Sequence, residues 1–373
     1  MDELSKAKVI GVDTESDSFH HFQEKVCLIQ FSTLDQDFIV DPLAIDGIES
    51  LKGVFSDPSI VKVLHGADYD IVCLRRDFGF QIRSLFDTLI AAQLLGMKRI
   101  GLADLIDRFF AITIDKQFQR HDWAQRPLRP QHLEYARGDT HFLLALREIL
   151  TMRLKRMKRM AHLKEECELL EERQWQVKPF DPNDYLKMKN IGSLDDTGLR
   201  VLRRLFLYRH EQAREMDRPT FKVIPNQALI VIAEKCPTTT GHLDKVFPKH
   251  VSMKRRHGMA LLQCVEEGLD DDFEIPSIQK KPTKKKKHTG PPPRLTGRTA
   301  ERVFAELKSW RNKVVARDDS RSPTTVASNA TLRAIAAACP HNLEELQKVN
   351  LVRQWQVLDF GEELLEVLRR GRH

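Results

Sequence analysis

An internal repeat constrains this chain more than any other feature. Asn226, Leu229, Ile232, Ala233, Cys236 and Pro237 recur 103 residues later as Asn329, Leu332, Ile335, Ala336, Cys339 and Pro340. At the same offset, Leu243, Lys245 and Val246 return as Leu346, Lys348 and Val349, and Leu262 and Gly268 as Leu365 and Gly371. So many identities at one spacing mark residues near 195–270 and 297–373 as two copies of one helical module. Upstream, Tyr208 and Arg209 face Trp310 and Arg311 at an offset of 102, which implies a one-residue length change in the intervening loop. A chain of 373 residues has room for two or three domains, so the part before the repeats must supply a core of its own.

That first part changes pattern along its length. Val9 to Val12, Val26 to Phe31 and Asp37 to Val40 are short, apolar and β-branched, and read as a strand meander; Val61 to Leu64 reads as a fourth strand. Helical patterns follow at Asp70 to Phe78, Phe86 to Leu95, Leu102 to Phe110 and Gln131 to Leu150. Strands giving way to helices predict a mixed α/β domain ending near residue 150, with a connecting helix to about Glu172. Between the repeats, Pro276 to Arg298 carries Lys280, Lys281, Lys284 to Lys287 and Pro291 to Pro293, and reads as a linker. Its lysines read as a solvated spacer, as a contact for nucleic acid or as a run that mimics a nuclear-import signal.

Composition excludes several classes. No apolar run approaches the roughly 20 residues that span a bilayer, so no membrane partner is expected. Met1 to Ile10 lacks the pattern of a secretory signal, which places the protein inside the cell. The six cysteines, Cys27, Cys73, Cys167, Cys236, Cys264 and Cys339, show no paired spacing and fit free, buried thiols. The net charge of +7 conceals an asymmetry: residues 1–150 hold 17 Lys and Arg against 23 Asp and Glu, while residues 151–373 hold 43 against 30. A basic second half suits a polyanion, because each neutralised phosphate releases counterions.

The acidic half carries a constellation. Asp13 and Glu15 stand two apart at the end of the first strand, so both carboxylates leave one face. Tyr135 and Asp139 lie one helical turn apart, and Asp70 sits in the first turn of another helix, five residues after His65. Divalent cations need hard oxygen ligands and several converging carboxylates to offset their charge. Each pair taken alone is commonplace on protein surfaces.

Taken together and in order, these motifs resemble the DEDDy exonucleases, which carry an Asp-x-Glu on the first strand, a central Asp and a Tyr-x3-Asp on a late helix. HGADYDIVCLRRDFG, LFDT and FQRHDWAQRPLRPQHLEYARGDT are similar to the ribonuclease D branch, and the repeats resemble HRDC domains. The resemblance implies an α/β ribonuclease H-like (DnaQ-type) mixed-sheet domain followed by two all-α HRDC-like domains. The expected boundaries are 1–172 for the exonuclease with its connecting helix, 195–275 and 297–373 for the helical domains, and 276–296 for the linker. It further implies that Asp13, Glu15, Asp70 and Asp139 organise two Mg²⁺ or Mn²⁺ ions and that Tyr135 orients the attacking water. The expected activity is 3′-5′ hydrolysis of RNA with a free 3′ end, transfer-RNA precursors first, releasing nucleoside 5′-monophosphates, in the cytoplasm, or in the nucleus for a eukaryotic relative. No obligate protein partner is evident. A DNA-directed exonuclease and a catalytically inactive nucleic-acid-binding scaffold are the alternatives.

Residues around the motifs divide between two readings. Asp87 reads as a helix cap, Asp68 and Asp17 as exposed, His141 as pointing away from Asp139, and Trp123 as packing a loop. His65 reads as a satisfied histidine beside the site that can also touch substrate. Arg126 and Arg129, just before the Tyr135 helix, and Lys249, Lys254, Arg255 and Arg256 in the first repeat are candidate phosphate contacts.

Overall fold

In the computed structural model, residues 2–176, 179–246, 251–276 and 293–371 are described. Five strands form one mixed sheet: β1 (Val9–Ser16), β2 (Val26–Ser32), β3 (Asp37–Val40), β4 (Val61–Leu64) and β5 (Leu85–Asp87), in the order β3-β2-β1-β4-β5. β2 and β3 pair antiparallel with Ile29 opposite Val40. β1 and β4 run parallel with Gly11 opposite Val63, and β4 and β5 run parallel with Leu64 opposite Asp87. This is the mixed-sheet architecture expected of the first domain.

Two elements differ from the sequence reading. Phe86 belongs to a strand, not to the following helix: Leu85–Asp87 joins the sheet edge and the helix begins at Thr88. A short apolar run has no periodicity to tell strand from helix, and pairing with β4 decides it. Asp87 then caps that helix by accepting from the Leu89 and Ile90 amides, and it also accepts from Gly66 and Ala67, which is the structural role expected of it. The expected helix over Gln131 to Leu150 is two helices, Pro130–His141 and Leu143–Arg156, broken at Phe142.

The chain divides into two compact units. The first holds residues 1–15, 26–175 and 285–373, and so contains the sheet and the second repeat. The second repeat is seated on the helix Met160–Glu171. Glu165 accepts hydrogen bonds from the Gln354 and Trp355 amides (2.6 and 3.0 Å), supplying the first turn of helix Gln354–Gly371 with acceptors that the helix itself lacks. Glu166 pairs with Arg353 and accepts from the Trp355 indole, and Arg159, buried, donates to Leu94 O, Ser320 O and Asp318.

The second unit holds residues 16–25 and 176–284, the first repeat with a loop from the nuclease half. Asp217 accepts from the Phe22 amide (3.1 Å) and pairs with His21, and Phe22 packs against the repeat's core. Asp17, expected to be exposed, is fully buried instead, with Oδ1 accepting from the Lys25 amide at 2.8 Å to close that loop.

The repeats match in detail. Cys236 and Cys339 both end a helix in the left-handed conformation, with φ of 41° and 44°, and their amides return to Ile232 O and Ile335 O. Arg209 and Arg311 are both buried and donate to the corresponding carbonyls, Ile224 O and Ala327 O. The six cysteines are free, five of them buried and Cys236 partly so. Most of the linker, including its lysines, lies outside the described residues.

Candidate nuclease site

Residues 11, 13 and 15 share one face of β1, because side chains alternate along a strand. On that face Gly11 has no Cβ, and one placed there would lie 3.0 Å from Thr140 O and 3.2 Å from Leu144 Cδ1. The missing side chain lets the two late helices settle onto β1, bringing Asp139 to Asp13 and Glu15. One oxygen from each of these three carboxylates lies within 4.8 Å of the others.

The other side of helix Pro130–His141 fixes its rotation. Asp37 on β3 accepts from Arg137 Nη1 (3.0 Å) and lies 2.8 Å from His141 Nδ1. Ser32 Oγ donates to the same carboxylate (2.6 Å) and lies 2.7 Å from Thr140 Oγ1. Partial burial opposes ionisation of Asp37, but these hydrogen bonds outweigh it and hold its carboxyl below the usual range. His141 therefore points away from Asp139, as its place in the sequence suggests.

Asp70 is not one of the three mutually close carboxylates, yet it is the acid that acts most strongly on Asp13. It is 8% exposed, in the first turn of helix Asp68–Phe78, and accepts a hydrogen bond from the Thr14 hydroxyl. Thr14 alternates to the other face of β1 from Asp13 and Glu15, so strand geometry links all four acids without stacking them at one point.

Burial is the main cause of the site's electrostatics. It pushes Asp13 and Glu15 well above the usual carboxylate range, and the neighbouring acids push both further. Burial raises Asp139 to about 7, and raises Asp70 to about 6 against the pull of the Thr14 hydrogen bond. Such a cluster resists ionisation until a cation joins it. Asp13, Glu15 and Asp139, with their oxygens this close together, are the residues that would hold a divalent ion. The donor set is all oxygen, as hard cations require.

Tyr135 is raised by burial and then by Asp139, Glu15 and Asp13, and stays a neutral phenol. Its ring packs against Phe118 and Trp123, with centroids 5.8 and 5.9 Å away. A cleft of about 370 Å³ is lined by Asp13, Glu15, Tyr135 and Asp139 together with His65 and Lys116. His65 Nδ1 lies 2.9 Å from Thr88 Oγ1, so this histidine is both satisfied and a wall of the cleft. Sequence reasoning misses Gly11, Thr14 and Lys116; the parity of Gly11 with the two acids is the one available signal.

The basic candidates fare differently. Arg126 is committed elsewhere: its guanidinium grips Asp41 through two hydrogen bonds of 2.6 Å and donates to Trp123 O and Cys27 O, pinning its loop to the sheet. Trp123 is 1% exposed and packs with Cys27, Leu28 and Ala136. Lys254 pairs with Asp244. Arg129, Arg255 and Arg256 are exposed, and Lys249 lies outside the described residues. Asp68 is exposed, as expected, and pairs with Arg173.

Known proteins share this anatomy. The 3′-5′ exonuclease family matches residues 1–155, and the HRDC domain matches residues 198–265 and 300–368. The catalytic core of RRP6 from Trypanosoma brucei is 34% identical with a TM-score of 0.64, over 73% of this chain and 77% of that one. Escherichia coli RNase D, described as an exoribonuclease involved in structured RNA processing, is 25% identical with a TM-score of 0.64, over 99% and 95%. The exosome complex component 10 homologue of Caenorhabditis elegans is 35% identical over 268 residues, which is 70% of this chain and 31% of that protein. The chain thus spans about a third of the length of the curated relatives it matches. No described helix is long and apolar enough to cross a membrane. With an exonuclease half in which Asp13, Glu15 and Asp139 converge on one cleft, followed in the chain by two HRDC repeats, the chain belongs to the ribonuclease D and RRP6 family of 3′-5′ exonucleases.

Proposed function

We propose that this protein is a metal-dependent 3′-5′ exoribonuclease that removes nucleotides singly from RNA with a free 3′ hydroxyl. The observation that carries the reading is the convergence of Asp13, Glu15 and Asp139 within 4.8 Å, beside a neutral Tyr135 and backed by Asp70. Two divalent ions, Mg²⁺ or Mn²⁺, supply charge stabilisation and water activation when bound. Asp13, Glu15 and Asp139 would hold them, and Asp70 would complete the charge balance. The Tyr135 hydroxyl, kept protonated, orients the attacking water by hydrogen bonding. Lys116, at the wall of the same cleft, is placed to meet a phosphate of the substrate.

Transfer-RNA precursors are the proposed substrate and the cytoplasm the proposed location. The reading follows ribonuclease D over an exosome role because the alignment with the E. coli enzyme extends through both repeats, over 99% of this chain and 95% of that one. We take the exonuclease to run over 1–172, the helical domains over 195–275 and 297–373, and the linker over 276–296.

A 5′-labelled RNA incubated with Mg²⁺ or Mn²⁺ tests the activity. The expected result is a ladder shortening from the 3′ end, absent with EDTA and with Asp13→Ala. Absence of any metal-dependent shortening, on RNA or on a DNA companion, would overturn it. Shortening of DNA alone would move the protein to the DNA-directed class.

A further inference from the structure

The carboxylate cleft repels the substrate it acts on, and the half of the chain that contains it is acidic, so an RNA strand must be held by cations elsewhere. The nuclease fold contains such a place. A cleft of about 950 Å³ is lined by Lys98, Arg99, Arg108, Arg153 and Arg156, against two acids, Asp104 and Asp107. All five basic residues are exposed. Arg99 is paired with Asp104. Arg108 and Arg153 both approach the ring of Phe109, at 5.8 and 4.7 Å from its centroid, which orients their planar forks.

One alternative explanation is local. Arg108 ends helix Leu102–Phe110, and Arg153 and Arg156 end helix Leu143–Arg156, where positive side chains offset the negative ends of helix dipoles. Two such ends carry about half a charge each. Five cations against two acids leave a net charge of +3, more than that role requires.

The position of the cleft gives the excess charge a use. Helix Leu102–Phe110 is shared by both sites: Leu102 and Ala103, with the preceding Gly101, line the carboxylate cleft, and Asp104, Asp107 and Arg108 line the basic one. Ala103 and Arg108 are separated along the helix axis by about 8 Å. A strand whose 3′ end lies among the carboxylates has only to cross this helix to reach the basic cleft.

We infer that the basic cleft is a second RNA-binding site, in which Arg108, Arg153, Arg156 and Lys98 hold backbone phosphates of the substrate strand upstream of its 3′ end. The inference rests on the exonuclease reading for the direction of the strand and not for the binding itself. Every residue that lines the cleft belongs to the nuclease half, so the grip does not depend on the lysine-rich linker.

The test uses the full chain with Arg108→Gln, Arg153→Gln and Arg156→Gln combined, all three being exposed, and Arg156→Glu alone as a second variant. Binding of a 16-nucleotide oligouridylate is titrated in EDTA at several salt concentrations, and hydrolysis is followed in Mg²⁺ on oligouridylates of 2 to 16 nucleotides. The expected result is a fall in affinity of about tenfold or more for the triple variant, with a salt slope shallower by about 0.7 for each phosphate that is no longer neutralised. The catalytic defect should grow with RNA length and be smallest on the dinucleotide, and Arg156→Glu should shift affinity in the same direction. Unchanged affinity and slope in both variants would overturn the inference, as would a defect equal at every length. Cleft-dependent binding by a protein that hydrolyses no RNA would sink the exonuclease reading and leave this one standing.

Discussion

Charged groups are gathered in two places in the first unit, for opposite ends. At the seam between the helix Met160–Glu171 and the second repeat, opposite charges pair: Arg159 meets Asp318, Glu166 meets Arg353, and Arg321 meets Asp318 and Asp359. Burial opposes ionisation of Asp318 there, yet hydrogen bonds from Ser320, Arg321 and Arg159 hold its carboxyl down at about 2. In the carboxylate cleft, like charges crowd together and burial drives their pKa values upward. The seam is self-sufficient. The cleft is stable only with protons or a cation, which is the mark of a functional site rather than a structural one.

The largest expected effects come from neutralising one member of each place. Asp13→Asn should cut exonuclease activity by roughly 10³-fold, the equivalent of about 4 kcal/mol of lost transition-state stabilisation. The same substitution removes a charge the fold disfavours, so the metal-free protein should unfold at a higher temperature than wild type. Arg159→Ala should do the reverse. It strips partners from Leu94 O and Ser320 O and should destabilise the first unit by roughly 3 kcal/mol, while leaving Mg²⁺ affinity within about twofold. Calorimetry of both variants with and without Mg²⁺ reads the contrast, and a lower unfolding temperature for metal-free Asp13→Asn would break it.

The pH dependence sharpens the same comparison. The folded pKa values of Asp70 and Asp139, about 6 and about 7, lie above the unfolded value of about 3.9, so the folded state binds more protons between them. The stability of the metal-free protein should therefore fall as pH rises from about 4 to 7, by an amount on the order of 5 kcal/mol for the two groups together. Mg²⁺ should restore that loss above pH 7 and release protons on binding, which titration calorimetry in buffers of different ionisation enthalpy measures directly. A metal-free stability that rises from pH 5 to pH 8 while Asp13→Asn follows the same curve would remove the cleft as its source.

How much of this is legible in the sequence depends on how local the cause is. Strand parity places Asp13 and Glu15, helical spacing places Tyr135 and Asp139, and a constant offset reveals the repeat. Asp87 as a cap follows from its position just before an apolar helix. Arg126 cannot be read: its partner Asp41 is 85 residues away in sequence, and nothing nearby signals that its guanidinium is already engaged. The burial of Asp17 is hidden for a similar reason, because it depends on how the loop to Lys25 closes. The strand at Leu85–Asp87 escapes the sequence because three residues carry no period.

A smaller effect is expected at Gly11, where the cleft meets its scaffold. An added methyl would press on Thr140 O at 3.0 Å, a backbone atom that moves only with its helix. Gly11→Ala should cost about 1–2 kcal/mol through overpacking. Because Thr140 adjoins Asp139, it should also weaken Mg²⁺ binding, whereas Ala at Gly138, a helical glycine with open space beside it, should not. Equal metal affinity in the two variants would show that the close approach serves packing alone.

The smallest expected effect separates the two repeats. Each has a gripping corner just after its long first helix, Asp217 in one and Asp318 with Ser320 in the other, and each corner holds a segment from the nuclease half. The second corner closes on a buried arginine, whereas the first closes on His21 and a backbone amide at the surface. Exposed pairs contribute less than about 1 kcal/mol, so Asp217→Ala should barely move the unfolding temperature. What it should change is local: the Phe22 amide loses its acceptor, and its hydrogen exchange should accelerate while amides of the sheet keep their protection. The loop from residue 16 to 25 leaves β1 directly after Glu15, so its ordering bears on the strand that carries two of the acids. Faster exchange at Phe22 with unchanged RNA hydrolysis would make the first corner a tether only; a fall in hydrolysis without a fall in stability would make it a support for the cleft.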